Sequence, residues 1–297
     1  MRVFLTGATG FIGSAIADDL ATSGHQVVAL ARSDASAAKL GARGFDVYRG
    51  DLHELDSLRS AAAEVDGVIH AAFTNISATT TIHESTRVDR AVVAALGDTL
   101  AGSGRPLVVT SVTSLLRPGA RGTEDDEASP EDNPRGQAEI DALALLGRGV
   151  QVTVVRLPPS VHGEGDVGWV PALIRIAKTT GVAGYIADGK NRWPAVHRLD
   201  AARLFRLALE SPTLSARLHA VADEGVPFRA IATAVSQIAG VPTASIAPEG
   251  ADAQFGFLSR FASLDSPRSS ARTRAALRWN PNHPSLLEDL ASGIYTP

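Results

Sequence analysis

Three glycines, Gly7, Gly10 and Gly13, stand three residues apart in the opening run Met1-Arg-Val-Phe-Leu-Thr-Gly-Ala-Thr-Gly-Phe-Ile-Gly13. That spacing has a chemical use when it falls between a strand and a helix. One glycine lets the backbone reverse, a second lets it approach a pyrophosphate with no Cβ in the way, and a third lets the helix pack close on the strand. The helix then turns its N-terminal N–H groups and positive dipole end toward the phosphates. An ordinary glycine turn would use the same residues. Here apolar Val3-Phe-Leu5 precedes the triplet and a helical pattern over 14–23 follows it, which is the order dinucleotide binding needs.

The next strand end bears on which dinucleotide. Residues 26–30 read as a buried parallel strand that runs into Ala31-Arg-Ser-Asp34. Arg32 beside the Ser33 hydroxyl suits the 2′-phosphate of NADP, whereas Asp34 reaching a ribose hydroxyl would give NAD. A third reading makes Arg32 a solvated loop charge. Asp51-Leu52 follow the third strand, at the place where a doubly wound sheet holds adenine, and Asp51 also suits the N-cap of the next helix. The fourth strand ends in Ala71-Ala72, small enough for a ribose to lie against the backbone, and His70 inside that buried run reads as structural.

Strand and helix patterns must alternate to bring these ends together, and they do. A helix over 36–44, a strand over 46–50, a helix over 84–100 and a strand over 107–110 give apolar strands that need helices on both faces. After a strand over 152–156 the pattern changes. Helices over 170–179 and 201–210, a strand over 218–221, helices over 228–238 and 255–261, and a terminal helix over 285–293 read as a smaller lobe and a return segment. Asp200 reads as the N-cap of the helix over 201–210.

Several of these stretches together resemble an atypical or extended short-chain dehydrogenase/reductase of the NAD-dependent epimerase/dehydratase type. They are the glycine turn, Gly50-Asp-Leu52, His70-Ala-Ala72, Val108-Val-Thr-Ser111, Arg156-Leu-Pro-Pro-Ser-Val-His-Gly-Glu-Gly165 and Asn191-Arg-Trp-Pro-Ala-Val-His-Arg-Leu-Asp200. The resemblance spans nearly the whole chain. It implies an α/β fold, a Rossmann-type doubly wound parallel sheet over 1–160 with a return segment about 194–222. It also implies a smaller C-terminal α+β substrate lobe over 161–193 and 223–297. The cofactor would be surrounded by Thr6, Gly7, Thr9, Gly10, Phe11, Ile12, Gly13, Arg32, Ser33, Asp51, Leu52, Ala71, Ala72 and Pro158. Arg135, Trp169, Trp193 and His197 would lie on the substrate side, with Tyr185 and Phe255 adding to an apolar pocket.

The resemblance also implies a Tyr and, four residues later, a Lys on the helix after the hydroxyl-bearing strand, the Lys holding the cofactor ribose and lowering the Tyr pKa. Here the stretch is Asn133-Pro-Arg-Gly-Gln-Ala-Glu139, which sets Asn133 and Gln137 at those positions. Neither amide exchanges a proton near neutral pH. The hydroxyl position falls on Ser111 or Val112, with Thr113 second to Ser111, and capping or turn roles fit both hydroxyls equally. Tyr185, in a loop-like segment over 181–189, and His162, at the end of a sheet strand, are the replacement proton donors. Packing roles suit each of them better. Arg135 and Glu139, four apart, would pair on the surface or, facing inward, shape a polar site.

Composition bounds the rest. The net charge of −4 and pI near 6.1 leave no electrostatic footprint for nucleic acid or an anionic membrane. Cysteine is absent, which removes disulfides and thiolate metal sites, and no ligand spacing suggests another metal. No apolar run is long enough to span a bilayer, so a cytoplasmic protein is the expectation. The acidic run over 124–132 reads as a solvated loop or lid. Three functions remain open: an NADP-dependent oxidoreductase acting on a small carbonyl or secondary alcohol, a nucleotide-sugar epimerase or dehydratase, and a non-catalytic NADP sensor. A homodimer through the helices over 84–100 and 135–147 is a further expectation.

Overall fold

The computed structural model describes residues 1–74, 80–131, 133–211 and 217–296. Its first half alternates strand and helix: β1 (Arg2–Thr6), α1 (Phe11–Thr22), β2 (Gln26–Ala31), α2 (Asp34–Gly41), β3 (Asp46–Arg49), α3 (Leu55–Ala63), β4 (Gly67–His70), α4 (Ile82–Leu100), β5 (Pro106–Val112), α5 (Arg135–Ala144) and β6 (Gln151–Leu157). The second half comprises β7 (Ser160–His162), α6 (Trp169–Thr180), β8 (Ala183–Ile186), β9 (Arg192–His197), α7 (Arg198–Glu210), β10 (Arg217–His219), β11 (Asp223–Pro227), α8 (Phe228–Ala239) and β12 (Thr243–Ile246). Four short helices close it, α9 (Ala251–Phe255), α10 (Ser259–Ala262), α11 (Ala271–Leu277) and α12 (Leu286–Ala291).

Seven strands form a parallel sheet in the order β10-β6-β5-β4-β1-β2-β3. The Val, Leu and Ile side chains of β1, β4 and β6, and of β5 up to Val109, are buried on both faces, as the apolar runs require. One face packs on α1 and α7, with Ile16, Leu20, Leu204, Phe205 and Trp279 in its core. The other packs on α3, α4 and α5 through Leu58, Val92, Leu96 and Ala142. This is the Rossmann-type doubly wound sheet that the sequence predicts. Because β1 pairs with β2 on one side and β4 on the other, the chain winds away in both directions. The topological switch opens a crevice beyond their carboxyl ends.

A separate apolar core gathers α6, α8 and the C-terminal helices, centred on Trp193, Phe228, Ile231, Phe255 and Leu286. Three expectations change here. The segment over 181–189 is not loop throughout: β8 pairs in parallel with β12, Tyr185 opposite Ser245. The helix expected over 255–261 is broken at Gly256, whose φ of +53° ends α9 at Phe255. Asp200 does not cap α7. His197 does, its side chain accepting from the Leu199 N–H. Asp200 is fully buried in the first turn, accepting from the Asn282 and His283 backbone N–H groups and bonded to His283 Nδ1 at 2.9 Å.

Candidate functional site

The glycine turn sits where β1 leaves the sheet. Gly7 has a φ of +79°, and a Cβ there would lie 2.8 Å from the Ala71 carbonyl carbon. A Cβ on Gly13 would lie 2.0 Å from the Gly7 oxygen, so the third glycine lets α1 close on the turn. The Gly10 N–H donates to Gly7 O at 2.9 Å. Gly10 caps α1 with no side-chain hydrogen bond, so the first-turn N–H groups of α1 have no side chain serving them. Such a terminus, reached by a backbone with no side chain in the way, fits a pyrophosphate. Thr9 is exposed beside it, Ile12 packs into the core beneath α1, and the Phe11 ring lies 5.2 Å from the Arg198 guanidinium.

Thr6 is turned away from this cradle. Its Oγ1 accepts from the Ala72 N–H at 3.2 Å and meets His70 Nδ1 at 2.7 Å. His70 Nε2 lies 3.0 Å from Asp89 Oδ1. The buried chain from Thr6 through His70 to Asp89 ties the end of β1 to β4 and α4, so His70 is structural, as its place in the strand suggests.

At the end of β2, Arg32 keeps an exposed side chain with Nε 3.8 Å from Asp51 Oδ2. Ser33 caps α2, accepting from the Ser36 N–H. Asp34 pairs with Arg49 at 2.8 Å, an exposed ion pair, so the Arg32 and Asp34 side chains both stand in solvent at this strand end. Asp51 is held by the His53 N–H, and Leu52 packs against the α3 side of the core. Pro158 is buried directly after β6.

The wall formed by β5 and α5 is made of side chains. Ser111 Oγ donates to Glu139 Oε2 at 2.8 Å. Glu139 also accepts from Arg156 Nε at 3.0 Å and Arg217 Nε at 3.2 Å. Arg156 is fully buried and reaches the Asp126 carbonyl and His219 as well. Ser111 is therefore consumed by an ion network. Thr113 is fully buried, its Oγ1 without a hydrogen-bond partner among the described residues, and its carbonyl accepts from Arg268. Arg268 is buried among carbonyls of residues 113, 116, 117, 120 and 267, and burial brings its pKa down to about 10.

Glu139 faces inward, so Arg135, one turn earlier, shares its face. The two do not pair: the Arg135 guanidinium lies 3.8 Å over the Phe73 ring. Gln137 turns instead to Asp141 at 2.9 Å, and Asn133 accepts from the Arg135 N–H at the start of α5. Arg135, not Gln137, is thus the α5 residue at the cleft. A cavity of about 630 Å³ lies along the loop after β5, lined by Leu116, Arg117, Asp126, Glu127, Ser129 and Glu131. The acidic run is only partly a solvated loop. Glu124 is buried and accepts from the Thr273 N–H and hydroxyl, and Asp125 pairs with Arg272. Asp132 lies outside the described residues.

The expected proton donors are placed elsewhere. Tyr185 lies in β8 with the Arg229 guanidinium 5.3 Å from its ring, part of the second core. Trp169 and Trp193 pack edge to face at 6.1 Å, Trp193 donates to the Phe261 carbonyl, and Phe255 packs on Phe228. These aromatics fill that core instead of lining an open pocket. His162 is fully buried, with Nδ1 2.6 Å from Asp289 Oδ2 and Nε2 without a hydrogen-bond partner among the described residues. His197 meets it edge to face and stacks on His283 at 4.8 Å. Burial lowers the His197 pKa to about 4, against the opposing pull of Asp289. The Tyr295 hydroxyl donates to Asp166 at 2.9 Å and accepts from the Gly163 N–H, pinning the chain end to the loop after β7. Among the described residues no cluster of His, Asp and Glu is arranged to hold a metal.

Sequence reasoning missed Phe73, Asp89 and the Glu139–Arg156 pair. One signal was present: Arg156 is a charge inside an apolar parallel strand, which demands a buried partner.

Fold and cradle define a dinucleotide-binding α/β protein. The family model described as "NAD dependent epimerase/dehydratase family" matches residues 3–219, and the chain belongs to that family. It is an NAD(P)-dependent enzyme of the epimerase/dehydratase type. An uncharacterised protein of Schizosaccharomyces pombe is 47% identical over 296 residues, covering 99% of this chain and all of its own. A 2-alkyl-3-oxoalkanoate reductase of Stenotrophomonas maltophilia is 28% identical, covering 82% of this chain and 77% of its own. Among solved structures, Thermus thermophilus UDP-glucose 4-epimerase in complex with NAD superposes with a TM-score of 0.73 at 22% identity, covering 99% of this chain and 98% of that one. No helix among the described residues is long and apolar enough to cross a membrane.

Proposed function

We propose that the protein is an NADP(H)-dependent oxidoreductase of the short-chain dehydrogenase/reductase type that interconverts a small carbonyl compound and its secondary alcohol. The observation that carries the cofactor choice is the Arg32 guanidinium, standing in solvent at the end of β2. A guanidinium there suits a 2′-phosphate. Gly7, Gly10 and Gly13 would hold the pyrophosphate at α1. Asp51, Leu52, Ala71, Ala72 and Pro158 would line the adenine, ribose and nicotinamide path.

Bound NADPH would supply a hydride to the carbonyl carbon, with one proton added to the carbonyl oxygen. The protein's task is then to orient the substrate and exclude side reactions. Ser111 is held by Glu139, Tyr185 lies in the second core and His162 is enclosed. The proton would therefore reach the oxygen by a non-standard route through the cleft, from solvent and not from a Tyr on α5. An epimerase or dehydratase needs a base to begin its reaction, so the lack of a Tyr–Lys pair on α5 weighs more against that reading. The reductase name carried by the Stenotrophomonas relative supports the same choice. The second core, over 161–193 and 223–297, is proposed as the substrate lobe.

Following NADPH oxidation with a panel of aldehydes and ketones tests this reading. Substrate-dependent oxidation with the alcohol as product is expected. Epimerisation of a nucleotide sugar with no net change in cofactor, and no turnover of any carbonyl, would overturn it.

A further inference from the structure

Two other arginines close to the β5–α5 wall show what a buried guanidinium requires. Arg156 is matched by Glu139, a carbonyl and His219, and Arg268 by a ring of carbonyls. Arg135 is matched by nothing comparable. Among the described residues its guanidinium makes no hydrogen bond and no ion pair, and its polar face is backed only by the Phe73 ring at 3.8 Å. Burial pulls its pKa below the ordinary guanidinium value, and Asp89, the acid that acts on it, does not make up the difference. Asp89 itself is engaged by His70 at 3.0 Å. Arg135 is half-buried, so the five N–H donors of its fixed planar fork are left without protein acceptors and open toward the crevice.

The position is not incidental. Phe73 directly follows Ala71 and Ala72, whose backbone lies against Gly7, so the guanidinium stands beside the strand end that borders the glycine turn. Gly136, the next residue of α5, packs on Pro130, and Ser129 and Pro130 line the cavity of about 630 Å³. That volume suits a small organic molecule. A planar fork matches two oxygens of one acid group, and a single guanidinium with a carboxylate behind it suits one negative charge, which favours a carboxylate over a phosphate dianion.

We infer that Arg135 is a carboxylate-binding residue, and that the substrate of the reductase reaction proposed above is an oxo acid or the corresponding hydroxy acid. The assignment rests on that reaction for the oxo group but not for the acid group. The Phe73 face holds the fork flat, and the acid group supplies the acceptors that the protein withholds.

Matched pairs of 2-oxo and 3-oxo acids and their methyl esters, assayed with NADPH, test it. They are joined by thermal shifts of the NADP⁺-loaded protein with the matching hydroxy acids. The acid should be preferred over its ester by ~100-fold in kcat/KM, the size expected of one charge-assisted bidentate contact. Arg135→Met should remove that preference mainly through KM and abolish the thermal shift, and Arg135→Lys should restore part of both. Equal use of acid and ester by the native enzyme would overturn the inference. So would an Arg135→Met effect confined to NADPH affinity, which would assign the guanidinium to the cofactor. If no carbonyl is reduced but hydroxy acids still shift the melting temperature in an Arg135-dependent way, the reductase reading fails while the carboxylate site stands. Absence of any such shift together with absence of turnover overturns both.

Discussion

The two walls of the crevice are built on different principles. The wall of β1 and α1 is made of backbone: a left-handed Gly7, a Gly13 that admits no Cβ, and a helix N-terminus with no side chain capping it. The wall of β5 and α5 is made of side chains recruited from far along the chain, with Ser111, Glu139, Arg156 and Arg217 joined in one buried network. The first wall is fixed by which residue lacks a side chain. The second depends on partners distant in sequence, and it is there that the family's Tyr and Lys are missing.

Substitutions should separate the walls. The largest effect is expected on the side-chain wall, where Arg156→Met would leave Glu139 buried without its main partner and cost about 3–5 kcal/mol in chemical denaturation. A loss below about 1 kcal/mol would mean that the network is not holding α5 on the sheet. On the backbone wall, Gly13→Ala would push a Cβ into Gly7 and should cost about 1–3 kcal/mol of stability. Dinucleotide affinity should fall with it, read by calorimetric titration. Unchanged binding there would break the comparison. Arg32→Ala should weaken NADPH binding by roughly 10-fold, the scale of one charge-assisted contact, and leave NADH binding nearly as it was. Equal losses for both cofactors would remove the argument for NADP.

A separate effect, on both walls at once, concerns pH. His197 and His219 have folded pKa values lowered to about 4, in both cases chiefly by burial. Their unfolded values lie near 6.5, so between those limits the unfolded chain binds more protons. Stability should be fully present above about pH 6.5, fall as pH drops toward about 4, and lose nothing further from these two groups below that. Melting temperatures across this window should decline, by on the order of ten degrees if both shifts act in full. A flat profile would show that neither histidine is held neutral by the fold.

The cradle was legible in the sequence because glycine spacing and apolar periodicity are local signals. The parallel sheet covered by helices on both faces followed from the same alternation of strand and helix, while the order of its seven strands came only from the structure. The α5 wall was not legible, because helical periodicity did not decide whether Arg135 or Gln137 faces the crevice. The contacts settle it: Gln137 goes to Asp141 and Arg135 to Phe73. Tyr185 looked like a loop residue because Gly181, Gly184 and Gly189 surround it, yet β12, some sixty residues on, pairs with that segment and makes it a strand. Asp200 carried a capping residue's identity, but His197 had the position, and Asp200 serves the 282–283 turn instead.

The most direct test of the account is a transfer experiment with NADPH carrying deuterium at the transferred position. It is run with carbonyl substrates and, separately, with nucleotide sugars. The account predicts deuterium at the new carbinol carbon of a product alcohol, with one NADP⁺ formed per alcohol. Retention of all deuterium on the cofactor, with a nucleotide sugar isomerised or dehydrated instead, would contradict it.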